Sequence, residues 1–347
     1  MATSSEKPSR PITQYDLAQS LGIGQKTVSR ALAGDGPVSP KLRARIEAAA
    51  AELGYRPNQS ARSIRSRRFD TAMLIQVVAK RHHRLAPGII DGIADGLAEG
   101  GRALLIERLV LSEMSPDALL PRGLRQAMVD GLLVHADTDP APAIEAAIAA
   151  AGLPIVWLNR RLSVNAVCPD DHGAAVMMVR RLAAAGHQRI AWLDFEVGYR
   201  PSDMLHYSRG ARLDGYRSAM AEVGLPATVL TPTYEPGDVG HPAWLEARLR
   251  AERPSAVACY GGHEALAVIH IAGRMGLRIP EDLSLIMVHH ESLVAGVRID
   301  VAALPTETVG RAGAAMLVER LGGRKRCPSV AVPFTMIPGA TVVPPRS

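Results

Sequence analysis

The sequence predicts an α/β chain in two parts: a small all-α head at the N-terminus and a larger core of parallel, doubly wound sheets shared between two lobes. Three observations predict it. Helix caps and turn glycines mark three short helices ahead of residue 55. From Thr71 onward short apolar runs alternate with helical stretches, the pattern of strand–helix–strand units. All of the excess positive charge lies ahead of that switch: residues 1–70 hold 12 Lys and Arg against 6 Asp and Glu, and the remaining 277 hold 28 of each.

The head is read in order. Thr13 and Asp16 form a capping box at the start of a first helix, with Ile12 and Leu17 placed for a hydrophobic staple across it. That helix runs to about Leu21, and Gly22 permits a tight turn. A second helix follows over about 25–32. Two helices joined by so short a turn form a helix-turn-helix, which places one helix in a DNA major groove. Ser39 caps a third helix and Pro40 takes its first position, where a missing N–H costs nothing. Leu42, Ile46, Ala49 and Leu53 give it one apolar stripe, and Gly54 ends it. A basic head of this kind suits a polyanion, and an amphipathic helix with bulky membrane anchors is missing, so nucleic acid is the expected partner.

The head also carries ordered motifs: TVSRAL at 27–32, VSPKLRARI at 38–46, LGYRPN at 53–58 and ARSIR at 61–65. Weaker ones continue through the core, LAAAGHQRIAWL at 182–193, RLDGYRSAM at 212–220 and GLRIPEDLSLI at 276–286. In these the chain resembles the LacI/GalR family of bacterial transcription regulators. By its position at the start of the second helix, Gln25 should reach base edges together with Lys26, and Arg30 follows one turn later. The family usually has serine at the cap where this chain has Gly24. Val28 and Ala31 are expected to pack, and Thr13, Thr27, Ser29, Ser39 and Tyr55 complete the expected DNA-facing set. The resemblance further implies a hinge at about 58–65 that folds on operator DNA. There Asn58 opens the segment, Ala61 admits the partner hinge, Ile64 replaces the usual leucine wedge, and Arg62 or Arg65 reaches the groove or phosphates.

In the core, strands are expected over 72–78, 103–107, 131–134, 155–158, 190–193, 256–259 and 283–288. Helices are expected over 89–99, 142–151, 174–185, 213–223, 244–250 and 265–275. So many strands exceed one sheet of ordinary width, hence two α/β lobes facing a cleft. The resemblance implies a periplasmic-binding-protein-like architecture. The expected division is 1–57 for the head, 58–70 for hinge and linker, and 71–347 for an effector-binding and dimerisation core. Lobe one is placed at about 71–185 and 301–322, lobe two at about 186–300 and 323–347.

The cleft departs from the family. Relatives that bind sugars or purines commonly place an Arg ahead of the RLxGY segment, an Asn-Asp pair before a core helix, and an Asp after a late strand. Here those places read Arg209-Gly210, Gly261-Gly262 and His289, and the loop after the first core strand reads Lys80-Arg81-His82-His83-Arg84. The expected effector contacts are Arg81, His83, Asp170, Arg209, Tyr234, Gly262 and His289. Three readings stay open: a neutral ligand with the loop charges facing solvent, an anionic sugar derivative gripped by the Arg and His side chains, or a degenerate pocket in a regulator governed without effector or by a partner protein.

Other classes are set aside on residue types. The first fourteen residues have no apolar segment of a secretory signal, and no apolar run spans a bilayer, so a cytoplasmic protein is expected. Cys168, Cys259 and Cys327 are far apart without a CxxC pair, which suggests reduced thiols. The His and Asp clusters lack metal-ligand spacing, so neither metal nor cofactor is expected. No phosphate-binding loop, GxSxG or HExxH occurs, and an enzyme using the cleft is the less favoured alternative. The expectation is therefore a homodimeric repressor on a pseudo-palindromic operator, controlled by a small carbohydrate-derived effector.

Overall fold

The computed structural model describes residues 12–34, 36–55, 68–78, 85–110, 124, 128–136, 142–198, 205–233, 237–294 and 296–346. The chain divides into two compact units, Met1–Phe69 and Asp70–Ser347.

The first unit holds α1 (Gln14–Leu21), α2 (Gln25–Ala33) and α3 (Pro40–Glu52). The capping box is closed from both sides. Asp16 accepts the Thr13 backbone N–H at 2.8 Å, and Thr13 Oγ1 accepts the Asp16 N–H at 3.3 Å. Ser39 Oγ accepts the Leu42 N–H at 3.3 Å, and each such cap stabilises its helix by roughly 1 kcal/mol. Gly22 turns between α1 and α2 at φ 65°, a left-handed conformation in which a β-carbon would be strained. Leu17, Val28 and Ile46, fully buried, bring the three helices onto one small core.

In the second unit the chain alternates in order through β1 (Thr71–Val78), α4 (Pro87–Ala98), β2 (Ala103–Val110), β3 (Gly131–Ala136), α5 (Pro142–Ala150), β4 (Ile155–Leu158) and β5 (Ala166–Pro169). It continues with α6 (Asp171–Ala184), β6 (Ile190–Leu193), α7 (Tyr207–Glu222), β7 (Thr228–Leu230), α8 (Gly237–Glu252), β8 (Ala256–Cys259), α9 (Gly262–Arg274) and β9 (Ser284–His289). A short antiparallel pair, β10 (Leu293–Val294) with β11 (Val297–Arg298), precedes β12 (Asp300–Ala303), α10 (Thr306–Leu321), β13 (Val330–Val332) and β14 (Thr335–Ile337).

Two six-stranded sheets result. One has the order β13-β5-β4-β3-β1-β2 and is parallel throughout. The other has the order β14-β12-β9-β8-β6-β7, parallel except for β14. Their central strands, such as β1, β3, β6, β8 and β9, are buried on both faces, which is why they read as continuous apolar runs. Successive residues of β1 divide between the faces: Ala72 and Leu74 meet α4 and α10, while Met73, Ile75 and Val77 meet the α5 side. Around the second sheet, α6 and α7 cover one face with Met178, Leu182 and Tyr216, and α8 and α9 cover the other with Leu245, Val268 and Ile271.

The division between lobes differs from the expected one in three places. Helix α6 packs against the second sheet, where Met178 and Leu182 share a core with Trp192 and Tyr216. An apolar helix stripe shows that a helix packs but not on which sheet. Strand β12, expected in lobe one, pairs with β9 and β14 in the second sheet, and β13, expected in lobe two, pairs with β5 in the first. These crossings are made by short segments whose pairing is decided by distant partners.

Candidate functional site

On the head, Gln25, Lys26 and Arg30 are exposed on α2, while Val28 and Ala31 face the core. Gly24 supplies no side-chain cap. The first turn of α2 therefore carries the positive end of the helix dipole together with Lys26, which suits an anionic backbone. Arg30 lies along the next loop, its Cδ 3.3 Å from where a β-carbon on Gly36 would stand. Thr13 and Ser39 are exposed at their caps, Thr27 and Ser29 are half-buried, and Tyr55 packs against the head core. The hinge positions Asn58, Ala61, Arg62, Ile64 and Arg65 lie outside the described residues, as do Arg81, His83 and Tyr234 of the expected effector set.

In the core, the strand order locates a second site. From β6 the chain crosses to β7 on one side and then returns to β8 on the other, so the sheet has its switch point between β6 and β8. Ligands in open α/β sheets bind at the carboxyl ends of strands at such a point. A cavity of about 240 Å³ opens there, lined by Phe195, Glu196, Arg209, Tyr260, Gly261, Gly262, His263 and Glu264.

Arg209 is its central cation and is already partnered. Its guanidinium is ion-paired with the fully buried Asp194, lies 3.3 Å from Glu196, and stacks over the Tyr260 ring at 4.0 Å. Asp194 also accepts the backbone N–H of Glu196 at 2.8 Å. Burial pushes the Asp194 carboxyl up, and Arg209 opposes that shift. Glu264 stands in the first turn of α9, also pushed up by burial. Tyr260 is held from beneath by Arg212, which donates to its carbonyl at 2.8 Å and from Nε to the buried Asp171 at 2.7 Å.

Of the effector contacts expected from sequence, Arg209 and Gly262 line this cavity. His289 stands behind Gly262, its Cδ2 2.9 Å from where a β-carbon on Gly262 would be. Its Nδ1 accepts the Glu291 N–H at 3.1 Å, its ring stacks on His290 with centroids 4.3 Å apart, and burial followed by His290 holds its pKa below the ordinary value. Burial and His290 thus disfavour the charged form that would anchor an anion. Asp170 lies at the N-cap of α6, where Oδ1 accepts the Gly173 N–H at 3.0 Å, and does not line the cavity. Sequence reading missed Asp194, Glu196, Tyr260 and Glu264. Each follows β6 or β8 by a few residues, and that placement at strand carboxyl ends was the available signal.

The two lobes meet through a polar contact near this cavity. His206 Nε2 is 3.1 Å from the Asn159 carbonyl, which follows β4, and its Nδ1 is 2.8 Å from Ser208 Oγ. Ser208 Oγ in turn is 2.8 Å from Tyr260 Oη. The cavity wall is thus connected by hydrogen bonds to the opposite lobe. Among the described residues, no group of three His, Cys, Asp or Glu could hold a metal ion, and no helix is long and apolar enough to cross a membrane.

Residues 13–58 match the model of the bacterial regulatory proteins of the lacI family, and residues 179–342 match that of a periplasmic binding protein-like domain. The HTH-type transcriptional regulator CelR of Thermobifida fusca is 31% identical over 335 residues, covering 92% of this chain and 94% of that protein. The regulator GntR of Escherichia coli K12 is 29% identical, covering 97% of this chain and all of that one. Among solved structures, the Lac repressor dimer bound to operator and the anti-inducer ONPF shares the fold, with a TM-score of 0.73 at 20% identity over 96% of this chain and 100% of its own. A CelR–cellobiose complex has a TM-score of 0.63 at 27% identity, covering 95% of this chain and 99% of its own. Head, core and full-length relatives agree: the chain belongs to the LacI family of DNA-binding transcriptional regulators.

Proposed function

We propose that this regulator is a cytoplasmic repressor whose affinity for a pseudo-palindromic operator is set by a small carbohydrate bound in the core cavity, and that it works as a homodimer without catalysing a reaction. The observation that carries the reading is the coexistence of exposed Gln25, Lys26 and Arg30 on α2 with a cavity at the β6/β8 switch point. The CelR–cellobiose complex supports a carbohydrate as the ligand class. So does the cavity itself, where carboxylates, a guanidinium and aromatic rings offer the mix of acceptors, donors and apolar faces that sugars use. An anionic effector gains no support from Arg209, which is already paired with Asp194 and Glu196. In this reading the His206–Asn159 contact shifts with ligand and biases a hinge that includes Ile64, altering how two heads engage two half-sites.

Selection of bound sequences from a random duplex pool by the full chain tests the DNA part. A two-fold symmetric site is expected, and the K26A/R30A double variant should lose that preference while its core melts unchanged. Recovery of no common sequence, or a preference the double variant keeps, overturns the proposed reading helix.

A further inference from the structure

The charge inside the cavity is unbalanced, and the imbalance points to a ligand. Among the described residues at its wall, Arg209 is the one guanidinium, and Asp194 and Glu196 already engage it. Glu264 is left over. It is 3% exposed, lines the cavity, and forms no side-chain hydrogen bond or ion pair among the described residues; its own backbone amide donates to its carboxylate, and Arg209 and His263 act on it only at longer range. Gly261 and Gly262, which open α9, bring no side chains of their own, so the Glu264 carboxylate can fold back toward the cavity: its Oε2 is 3.5 Å from where a β-carbon on Gly261 would stand. Burial pushes both Glu264 and Asp194 up, disfavouring their charged forms, and a cation brought to Glu264 would offset that cost.

A carboxylate or phosphate entering here would find the one guanidinium among the described wall residues already engaged and the Glu264 carboxylate beside it. An ammonium group would instead supply the missing partner at short range in a poorly solvated site, where a charge-assisted hydrogen bond is strong. The cavity, at about 240 Å³, is of a size for one sugar ring.

Resting on the reading of this cavity as the effector site, we infer that it selects a polyhydroxylated ligand carrying a protonated amine, an amino sugar in chemical class, with Glu264 accepting the ammonium. Gly262 removes one side chain from the wall, and Glu264 supplies a carboxylate from the next residues of the same helix.

The test uses the full chain and three sets of probes: glucosamine, galactosamine and mannosamine, their parent hexoses, and the matching uronic acids. Thermal shift and calorimetric titration should show at least one amino sugar binding tenfold or more tightly than its parent, and no uronic acid binding better than that parent. E264Q, which keeps the shape and removes the charge, should abolish the amine preference, so that amino sugar and parent hexose bind that variant with affinities within about twofold of each other. Parent hexoses or uronic acids binding as tightly as the amino sugars overturn the charge selection and leave the carbohydrate reading standing. An amine preference that survives in E264Q overturns the role of Glu264. Failure of every sugar, charged or neutral, removes both the inference and the carbohydrate effector beneath it.

Discussion

At the scale of single residues, the cavity is governed by which charges are already paired. Arg209 was legible in the sequence because it sits next to the position where relatives carry an arginine. Its partners were not, because Asp194 and Glu196 reach it from a loop that follows a different strand and share no spacing with it. Removing Arg209 leaves Asp194 fully buried beside an empty place, so R209M should destabilise the core by about 3 kcal/mol in urea unfolding; the double variant R209M/D194N should recover much of that loss. A stability of R209M equal to the parent would mean the pair is not formed. His135, at the end of β3, offers a second test through pH. Burial, aided by His206, holds its pKa at about 3, below the ordinary value of 6.5. Between those values the unfolded chain binds a proton that the folded chain does not, so this group makes stability rise with pH across that window and fall on acidification. The contribution reaches about 3–5 kcal/mol at full effect. H135N should therefore flatten the dependence of unfolding free energy on pH between about 4 and 6 relative to the parent, and an unchanged slope would show that His135 is solvated.

Elements were legible in proportion to their length and to the locality of what holds them. Strands β4, β6 and β8 fall where the apolar runs place them, since each is bounded by turn residues and buried on both faces. Helix α10 gave no comparable signal, because Gly310 and Gly313 interrupt its stripe. The structure explains the interruption: a β-carbon on Gly310 would lie 2.3 Å from the Ile89 carbonyl oxygen, and one on Gly92 only 2.1 Å from that of Glu307. The two helices touch along their backbones, and only glycine permits that approach. G310A should therefore force α4 and α10 apart and cost about 1–3 kcal/mol, read as a lowered melting temperature of the core with α2-dependent DNA contacts intact. Strands β13 and β14 were out of reach for another reason. Each is three residues long, only two residues separate them, and they enter different sheets. Nothing local distinguishes their destinations.

For the whole molecule, the repeated crossing of the chain between lobes is what couples them. Strand β5 in the first sheet leads directly into α6 on the second, and Asp171 at the start of α6 is anchored by Arg212 beneath the cavity floor. A ligand that moves Tyr260 or the start of α7 therefore acts on segments belonging to both lobes. Caps, apolar alternation and the family resemblance made this architecture and the DNA-binding head legible, whereas the charge pairing around the cavity became visible only once the strand order had brought β6 and β8 together. In the function proposed above, occupancy of this cavity changes operator affinity. Its most direct measurement is fluorescence anisotropy of a labelled selected operator titrated with the full chain, with and without the sugar that most stabilises the core. A shift in Kd of roughly 5- to 150-fold is expected, lost in R209M even where that variant still binds operator. An operator Kd unchanged at saturating ligand would contradict it.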